Sequence, residues 1–330
     1  MNYIYLKGGH KGNDVAPHMI KTENDEAFIY TEPWMLFKKW QHFLCHFSLS
    51  PTINSYLPLP FKFFWIKKII KKSKFSNDNP LCILINAHFA PSFSDGVLKK
   101  MRKKYKGLKT VIYFTDKVDF YNRNYRKYPS LNVIKRRFNL VLSYNILDCE
   151  KHSLLLNRYV FNDYSSINDD ESIPQSDIFF VGQNKNRLPK ILSIYQKANK
   201  HGLKCDFWVT KVEDKDQLYK ETIHYNQWLP YYKVLQRVRK TKCVLNIVQD
   251  GGMGITEREY EAIGNNKFLL TDNCSIKDTV FFSPDQIISL DDFEKSVYKI
   301  KNGCLKTNNY LSEYNYENYF KWLSDILKKN

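Results

Sequence analysis

The sequence predicts an α/β protein made of two domains in tandem, each a parallel sheet covered by helices. Three observations carry this reading. The chain has 330 residues, more than one core usually serves at about 150 residues per domain. Short apolar strands alternate with helical stretches, an order that calls for parallel pairing through helical crossovers. One polar stretch, Ser165 to Ser176, interrupts the alternation and reads as a linker. The expected divisions are 1–168, 169–310 and a closing helix, 311–330, packing back toward the first domain.

Residues 2–6 read as a strand running into Gly8-Gly9-His10-Lys11-Gly12-Asn13-Asp14, with a helix expected next. The glycines lack GxGxxG spacing and no acidic residue closes a second strand at the right distance, so a dinucleotide fingerprint is unsupported. Leu81 to Asn86 is a buried strand, Pro91 to Lys106 contains a helix, Thr110 to Phe114 is a strand, Leu131 to Arg137 a helix and Leu140 to Ser143 a strand. After the linker come strand Asp177 to Val181, loop Gly182 to Arg187, helix Leu188 to His201 closed by Gly202, and strand Leu203 to Val209. Helix Tyr231 to Lys240, strand Cys243 to Gln249, a glycine-rich loop, helix Thr256 to Ile263 and strand Lys267 to Thr271 continue the alternation. A strand or loop around Ile287 to Leu290 precedes the helix Tyr310 to Lys329.

A composition with 43% hydrophobic and 15% aromatic residues excludes a disordered or collagen-like chain. No basic-then-apolar signal pattern opens the sequence and no apolar run approaches the roughly 20 residues that span a bilayer, so a cytoplasmic protein is expected. The seven cysteines are scattered singly, without metal-ligand spacing, and read as reduced core thiols. No metal site is expected, and Asp214-Lys215-Asp216 reads as solvated surface.

The formal net charge is +17, and residues 61–137 alone hold 20 basic and 4 acidic side chains. Within them, 61–74 mixes Phe63, Ile66, Ile69 and Ile70 with Lys67, Lys68, Lys71, Lys72 and Lys74. On a helix the apolar set shares a face, so the segment reads either as an amphipathic helix lying on an anionic inner-membrane surface or as an ordinary helix packed on a core. A peripheral position at the inner membrane face follows from the first reading.

The segment Leu245 to Ala262 is the richest in chemistry. A strand ends at Gln249, Gly251, Gly252 and Gly254 let the backbone approach a ligand, and Thr256 opens a helix whose free N–H groups suit a phosphate. Arg258 and Glu261 stand three apart on one helical face, a cation for a diphosphate beside a carboxylate for sugar hydroxyls, or simply a surface ion pair. Likewise Gly182, Gln183, Lys185 and Arg187 follow a strand end, where ligands gather in open α/β sheets.

Residues 177–300 resemble the C-terminal domain of GT-B nucleotide-sugar glycosyltransferases, especially bacterial enzymes that build capsules, O-antigens and related surface polysaccharides. The resemblance rests on Asp177 to Gln183, Leu203 to Phe207, Tyr231 to Lys240, Ile247 to Gln249, Gly254 to Arg258, Glu261-Ala262 and Lys267 to Asn273. It extends to Val111 to Asp116 and Val141 to Asp148 in the first half. It implies two Rossmann-like domains facing across a cleft, and a transferase that moves a sugar from a nucleotide-diphosphate donor, with no cofactor and no metal, to a glycan or polyprenyl-diphosphate-linked acceptor. It also implies Glu261 on the donor ribose, with Lys185 and Arg187, or Arg258, on the diphosphate. The family's commoner pattern has two glutamates separated by seven residues; here Met253 occupies the first position.

If transfer inverts the sugar, a base from the first domain must deprotonate the acceptor, and His10, Asp14 and Asp116 are the candidates. His42, His46 and His88 form no ligand set. Two other readings remain: a nucleic-acid-binding protein using the basic region 61–137, and a non-catalytic scaffold with a degenerate nucleotide site. The glycosyltransferase reading expects no nucleic-acid partner.

Overall fold

A computed structural model describes residues 1–7, 18–21, 26–30, 33–73, 75, 79–158, 160, 169–249, 254–306 and 308–329. The chain forms two compact units, one of residues 1–159 with 316–330 and the other of residues 160–315.

In unit 1 the strands are β1 (Asn2–Leu6), β2 (His18–Lys21), β3 (Glu26–Tyr30), β4 (Leu81–Asn86), β5 (Lys109–Phe114), β6 (Leu140–Ser143) and β7 (Leu155–Leu156). They form one sheet in the order β2-β3-β1-β4-β5-β6-β7, parallel except where β2 pairs with β3. Central β1 and β4 are buried along their whole length, which is why Leu-Cys-Ile-Leu-Ile carries no polar alternation. The helix expected after the first loop gives way, from residue 18 on, to β2 and β3.

The helices of this unit are α1 (Lys39–Leu49), α2 (Pro51–Tyr56), α3 (Lys62–Lys72), α4 (Asp95–Lys104), α5 (Val118–Asn124), α6 (Leu131–Arg137) and α7 (Ile146–His152). The apolar side of α3 turns inward: Trp65, Ile66, Ile69 and Ile70 lie in the core with Leu49, Leu81 and Ile83. That face is therefore not available to a lipid surface, so the apolar set of 61–74 follows the packed reading and not the interfacial one. Lys62 is itself buried, its ammonium donating to the Pro91 carbonyl at 3.4 Å, and burial pushes its pKa down.

Unit 2 holds β8 (Ser176–Gln183), β9 (Cys205–Thr210), β10 (Ile223–Tyr225), β11 (Thr241–Asn246), β12 (Phe268–Thr271) and β13 (Ile287–Ser289). All are parallel, in the order β10-β9-β8-β11-β12-β13. Its helices are α8 (Leu188–Lys200), α9 (Tyr231–Lys240), α10 (Glu257–Gly264), α11 (Phe293–Asn302) and α12 (Tyr310–Glu313). In α8, Leu188, Ile191, Ile194, Tyr195 and Ala198 make the buried stripe. Gly202, at φ 66°, ends α8 in a left-handed turn; its N–H reaches the Asn199 carbonyl at 2.9 Å and Leu203 N–H the Ala198 carbonyl at 3.0 Å.

The expected linker is partly structured on unit 2: Asp169 meets Arg239 at 3.1 Å, Asp170 pairs with Lys233, and Ile173 is buried. The expected terminal helix is broken. Tyr310 and Tyr314 pack their rings on Phe281 at 5.1 and 4.8 Å, and the chain restarts as α13 (Tyr316–Lys329). That helix packs in unit 1, where the Tyr3 hydroxyl donates to the Phe320 carbonyl at 3.0 Å and the two rings lie 4.6 Å apart.

Cys274 and Cys304 are exposed, unlike the core thiols expected, and all seven cysteines are free. Among the described residues no helix is long and apolar enough to cross a membrane, and no group of three or more His, Cys, Asp or Glu is placed to hold a metal ion.

Candidate functional site

The strand order of unit 2 reverses between β8 and β11. In an open parallel sheet that reversal leaves a crevice beyond the carboxyl ends of the two strands, the preferred place for a ligand. The loop 184–187 leaves β8 there and the segment 247–256 leaves β11.

Arg187 ties these two ends together. Its Nη2 donates to the Gln183 carbonyl at 2.8 Å, its Nη1 donates to the Ile247 carbonyl, and its guanidinium lies 5.8 Å from the Phe180 ring centroid. Burial pushes its pKa down, while Asp272 opposes that shift. Two of its nitrogens are thus engaged by main chain. This explains Gly182: a Cβ there would stand 2.9 Å from Arg187 Nη2 and 3.4 Å from the Phe180 ring. The glycine makes room for an arginine of its own chain.

Between them Asn184 accepts from Arg187 N–H at 2.8 Å across Lys185 and Asn186, whose φ values are 42° and 64°. Two successive positive φ angles and that hydrogen bond describe a type I′ turn, which holds exposed Lys185 at its tip. The Asn184 side chain accepts from Leu188 N–H at 3.1 Å and so caps α8.

On the other strand, β11 stops at Asn246, three residues before the expected Gln249. The reason is local: the Ile247 carbonyl goes to Arg187, and Val248 N–H donates to Asp272 Oδ1 at 2.8 Å. Gln249 is half-buried, and Gly251, Gly252 and Met253 lie outside the described residues. The segment re-enters at Gly254, whose carbonyl accepts from Asn273 Nδ2 at 2.9 Å. Neighbouring residues at the end of β12, Asp272 and Asn273, therefore grip both ends of the glycine-rich segment.

Thr256 precedes α10, and its N–H donates to Glu259 Oε2 at 2.7 Å. Glu259 is fully buried and accepts from Asn273 Nδ2 at 2.8 and 3.0 Å. Burial pushes this carboxyl up; the hydrogen bonds pull the other way. Sequence reasoning passed over Glu259, although Thr256-x-x-Glu259 is the spacing of a capping box.

Arg258 and Glu261 form an ion pair. The Glu261 carboxyl is buried, and burial pushes its pKa up to about 7 against the opposing Arg258 charge. The first turn of α10 thus pairs a cation with a proton-labile carboxyl at a helix N-terminus, an end whose dipole favours anions.

In unit 1, His10 and Asp14 lie outside the described residues. Asp116 follows β5 and accepts from the next N–H, Lys117, at 2.9 Å; Asp148 rather than Asp116 accepts from Val118 N–H at the start of α5, at 2.8 Å. His88, set aside in the sequence, stands just past β4 with Nδ1 2.7 Å from the Tyr125 hydroxyl and its ring 5.0 Å from that of Tyr121. The readable signal was its place two residues beyond a buried parallel strand. His46 packs on Trp34 with ring centroids 4.5 Å apart. Asp214 and Asp216 are exposed, as solvated surface should be.

Residues 187–309 match the family model described as Glycosyl transferase-like. Across the whole chain, the structure of trehalose-6-phosphate synthase OtsA superposes with a TM-score of 0.53 at 11% identity, covering 100% of this chain and 91% of that one. The fold is GT-B. A second trehalose-6-phosphate synthase structure, from work on bisubstrate glycomimetics, gives a TM-score of 0.50 at 12% identity over 100% of this chain and 93% of that one. No curated protein matches the sequence. The GT-B match agrees with the two sheets, one wholly and one predominantly parallel, and the family-model match begins at Arg187, the residue that ties β8 to β11.

Proposed function

We propose that the protein is a glycosyltransferase that binds a nucleotide-diphosphate sugar in unit 2 and passes the sugar to a glycan or lipid-linked acceptor in surface-polysaccharide assembly. One observation carries the reading: the ion pair of half-buried Arg258 with buried Glu261 at the N-terminus of α10, beyond the switch point between β8 and β11. There Glu261 receives ribose hydroxyls. Arg258, Lys185 and the α10 N–H groups take the diphosphate, whose charge grows as the glycosidic bond breaks. Arg187 acts mainly by holding the two strand ends in register. No metal or cofactor is assigned a role in transfer. His88 and Asp116 are the described candidates for receiving the acceptor proton, beside His10 and Asp14.

Thermal-shift screening against UDP-, GDP- and CMP-sugars tests the donor assignment. A rise in Tm with one of them, lost in Glu261→Ala and in Arg258→Ala, is the expected result. No shift with any sugar nucleotide, or a shift retained in both variants, sinks it. Salt-sensitive retention of RNA in place of a donor would instead favour the nucleic-acid reading.

A further inference from the structure

The helix α1 is amphipathic the wrong way round. Trp40, Phe43, Leu44 and Phe47 follow the i, i+3, i+4, i+7 spacing of a core stripe, yet they are 63%, 64%, 42% and 43% exposed. The opposite side of the helix supplies Cys45, Ser48 and Leu49 to the interior. Phe43 and Phe47 stack on each other in the open, with ring centroids 6.2 Å apart.

The neighbouring chain extends this surface. Leu57 is 62% and Phe61 73% exposed, and the intervening loop is pinned beside the end of α1: Ser48 Oγ donates to the Pro60 carbonyl at 3.0 Å and Leu59 N–H to Asn54 Oδ1 at 3.1 Å. Phe61 sits at φ 64°, a left-handed conformation that strains a side chain of this size. A protruding aromatic ring is thus held on ordered backbone.

We propose that this face of unit 1 docks on an anionic phospholipid bilayer surface. The charge pattern selects that occupant: residues 33–77 contain eight lysines, no arginine and no acidic residue. Exposed Lys38, Lys39, Lys67, Lys71 and Lys72 lie on α1, α3 and the residue preceding α1. Lysine is depleted in protein–protein interfaces, whereas lysine with exposed tryptophan and phenylalanine is the chemistry of a membrane-surface helix on anionic lipid. A nucleic acid would find stacking rings here, but Leu44 and Leu57 offer it nothing, and arginine, its usual bidentate partner, is missing. The surface differs from the apolar side of 61–74, which is spent in the core. The inference does not depend on the donor assignment, since it uses only unit 1 and is tested without a sugar nucleotide.

The test is co-flotation of the full chain with vesicles of phosphatidylcholine alone or containing 40% phosphatidylglycerol, with brominated acyl chains as a depth probe. The expected result is at least tenfold stronger association with the anionic vesicles, lowered at least tenfold in Trp40→Ser/Phe43→Ser/Phe47→Ser at unchanged Tm. Trp40→Phe should keep binding but lose much of the bromine quenching. Equal binding to neutral vesicles, undiminished binding of the triple variant, or no binding at all overturns the proposal. So does a wild-type dimer that the triple variant converts to monomer, or an RNA complex released by it, because either would assign the face to another occupant.

Discussion

Arg258 and Glu261 face each other one turn apart on α10, an ion pair whose carboxylate side keeps only 5% of its surface exposed. Burial raises the Glu261 pKa from 4.5 to about 7. Between those values the folded chain holds a proton that the unfolded chain has released, so this group favours folding at low pH. That contribution is lost as pH rises through 7. The difference in stability between wild type and Glu261→Gln, measured by urea unfolding, should therefore move against wild type by about 3 kcal/mol between pH 4.5 and 8. Donor affinity should follow the opposite trend, rising through pH 7 as the hydroxyl-accepting carboxylate forms. Parallel stability profiles for the two proteins would remove Glu261 as the titrating group.

Gly182 and Arg187 should be coupled energetically. Gly182→Ala places a methyl group 2.9 Å from Arg187 Nη2, so the guanidinium must leave the Gln183 carbonyl or the strand end must shift. Arg187→Ala alone removes two charge-assisted hydrogen bonds and should cost about 2–4 kcal/mol. In the double variant most of the Gly182→Ala penalty should vanish, giving a coupling of about 1 kcal/mol or more in a double-mutant cycle. Strictly additive losses would mean that Gly182 is required for some other reason.

Much of this architecture was readable because buried parallel strands announce themselves. Leu81 to Asn86 and Asp177 to Val181 are apolar runs between polar breaks, and α9 begins and ends where its sequence pattern does. Periodicity says which residues share a face and not which way the face points. Hence Ile66, Ile69 and Ile70 on α3 and Trp40, Phe43 and Phe47 on α1 look alike in sequence, yet one set is inside and the other outside. At the site, Arg258 and Glu261 were legible from spacing three. The tie from Arg187 to Ile247 was not, since it joins residues 60 apart through a tertiary hydrogen bond. The grip of Asp272 and Asn273 on the glycine-rich segment was hidden for the same reason.

Asn273 should matter for donor binding without touching the donor. Its amide spans the Gly254 carbonyl and the buried Glu259 carboxyl, while its own Oδ1 accepts from Ser275 N–H at 3.1 Å. Asn273→Ala strands those buried acceptors, and a cost of about 1–3 kcal/mol is expected. The freed segment should also weaken donor affinity several-fold, measured calorimetrically at a temperature where the variant is fully folded. Loss of stability with unchanged affinity would limit the residue to a structural part.

Ile66 and Ile69 on α3 separate packing from surface docking in unit 1. Both are buried in the core with Trp65 and Leu81, so Ile66→Ala or Ile69→Ala should destabilise the protein by about 2–4 kcal/mol through lost burial and the cavity left behind. The exposed lysines of the same helix should behave in the reverse manner: Lys67→Gln/Lys71→Gln/Lys72→Gln should leave Tm nearly unchanged, since none is buried. Association with anionic vesicles should show the complementary pattern, retained in the isoleucine variants below their melting temperatures and reduced in the lysine variant. An isoleucine variant of wild-type stability would show instead that the inward face of α3 is loosely packed and open to exchange.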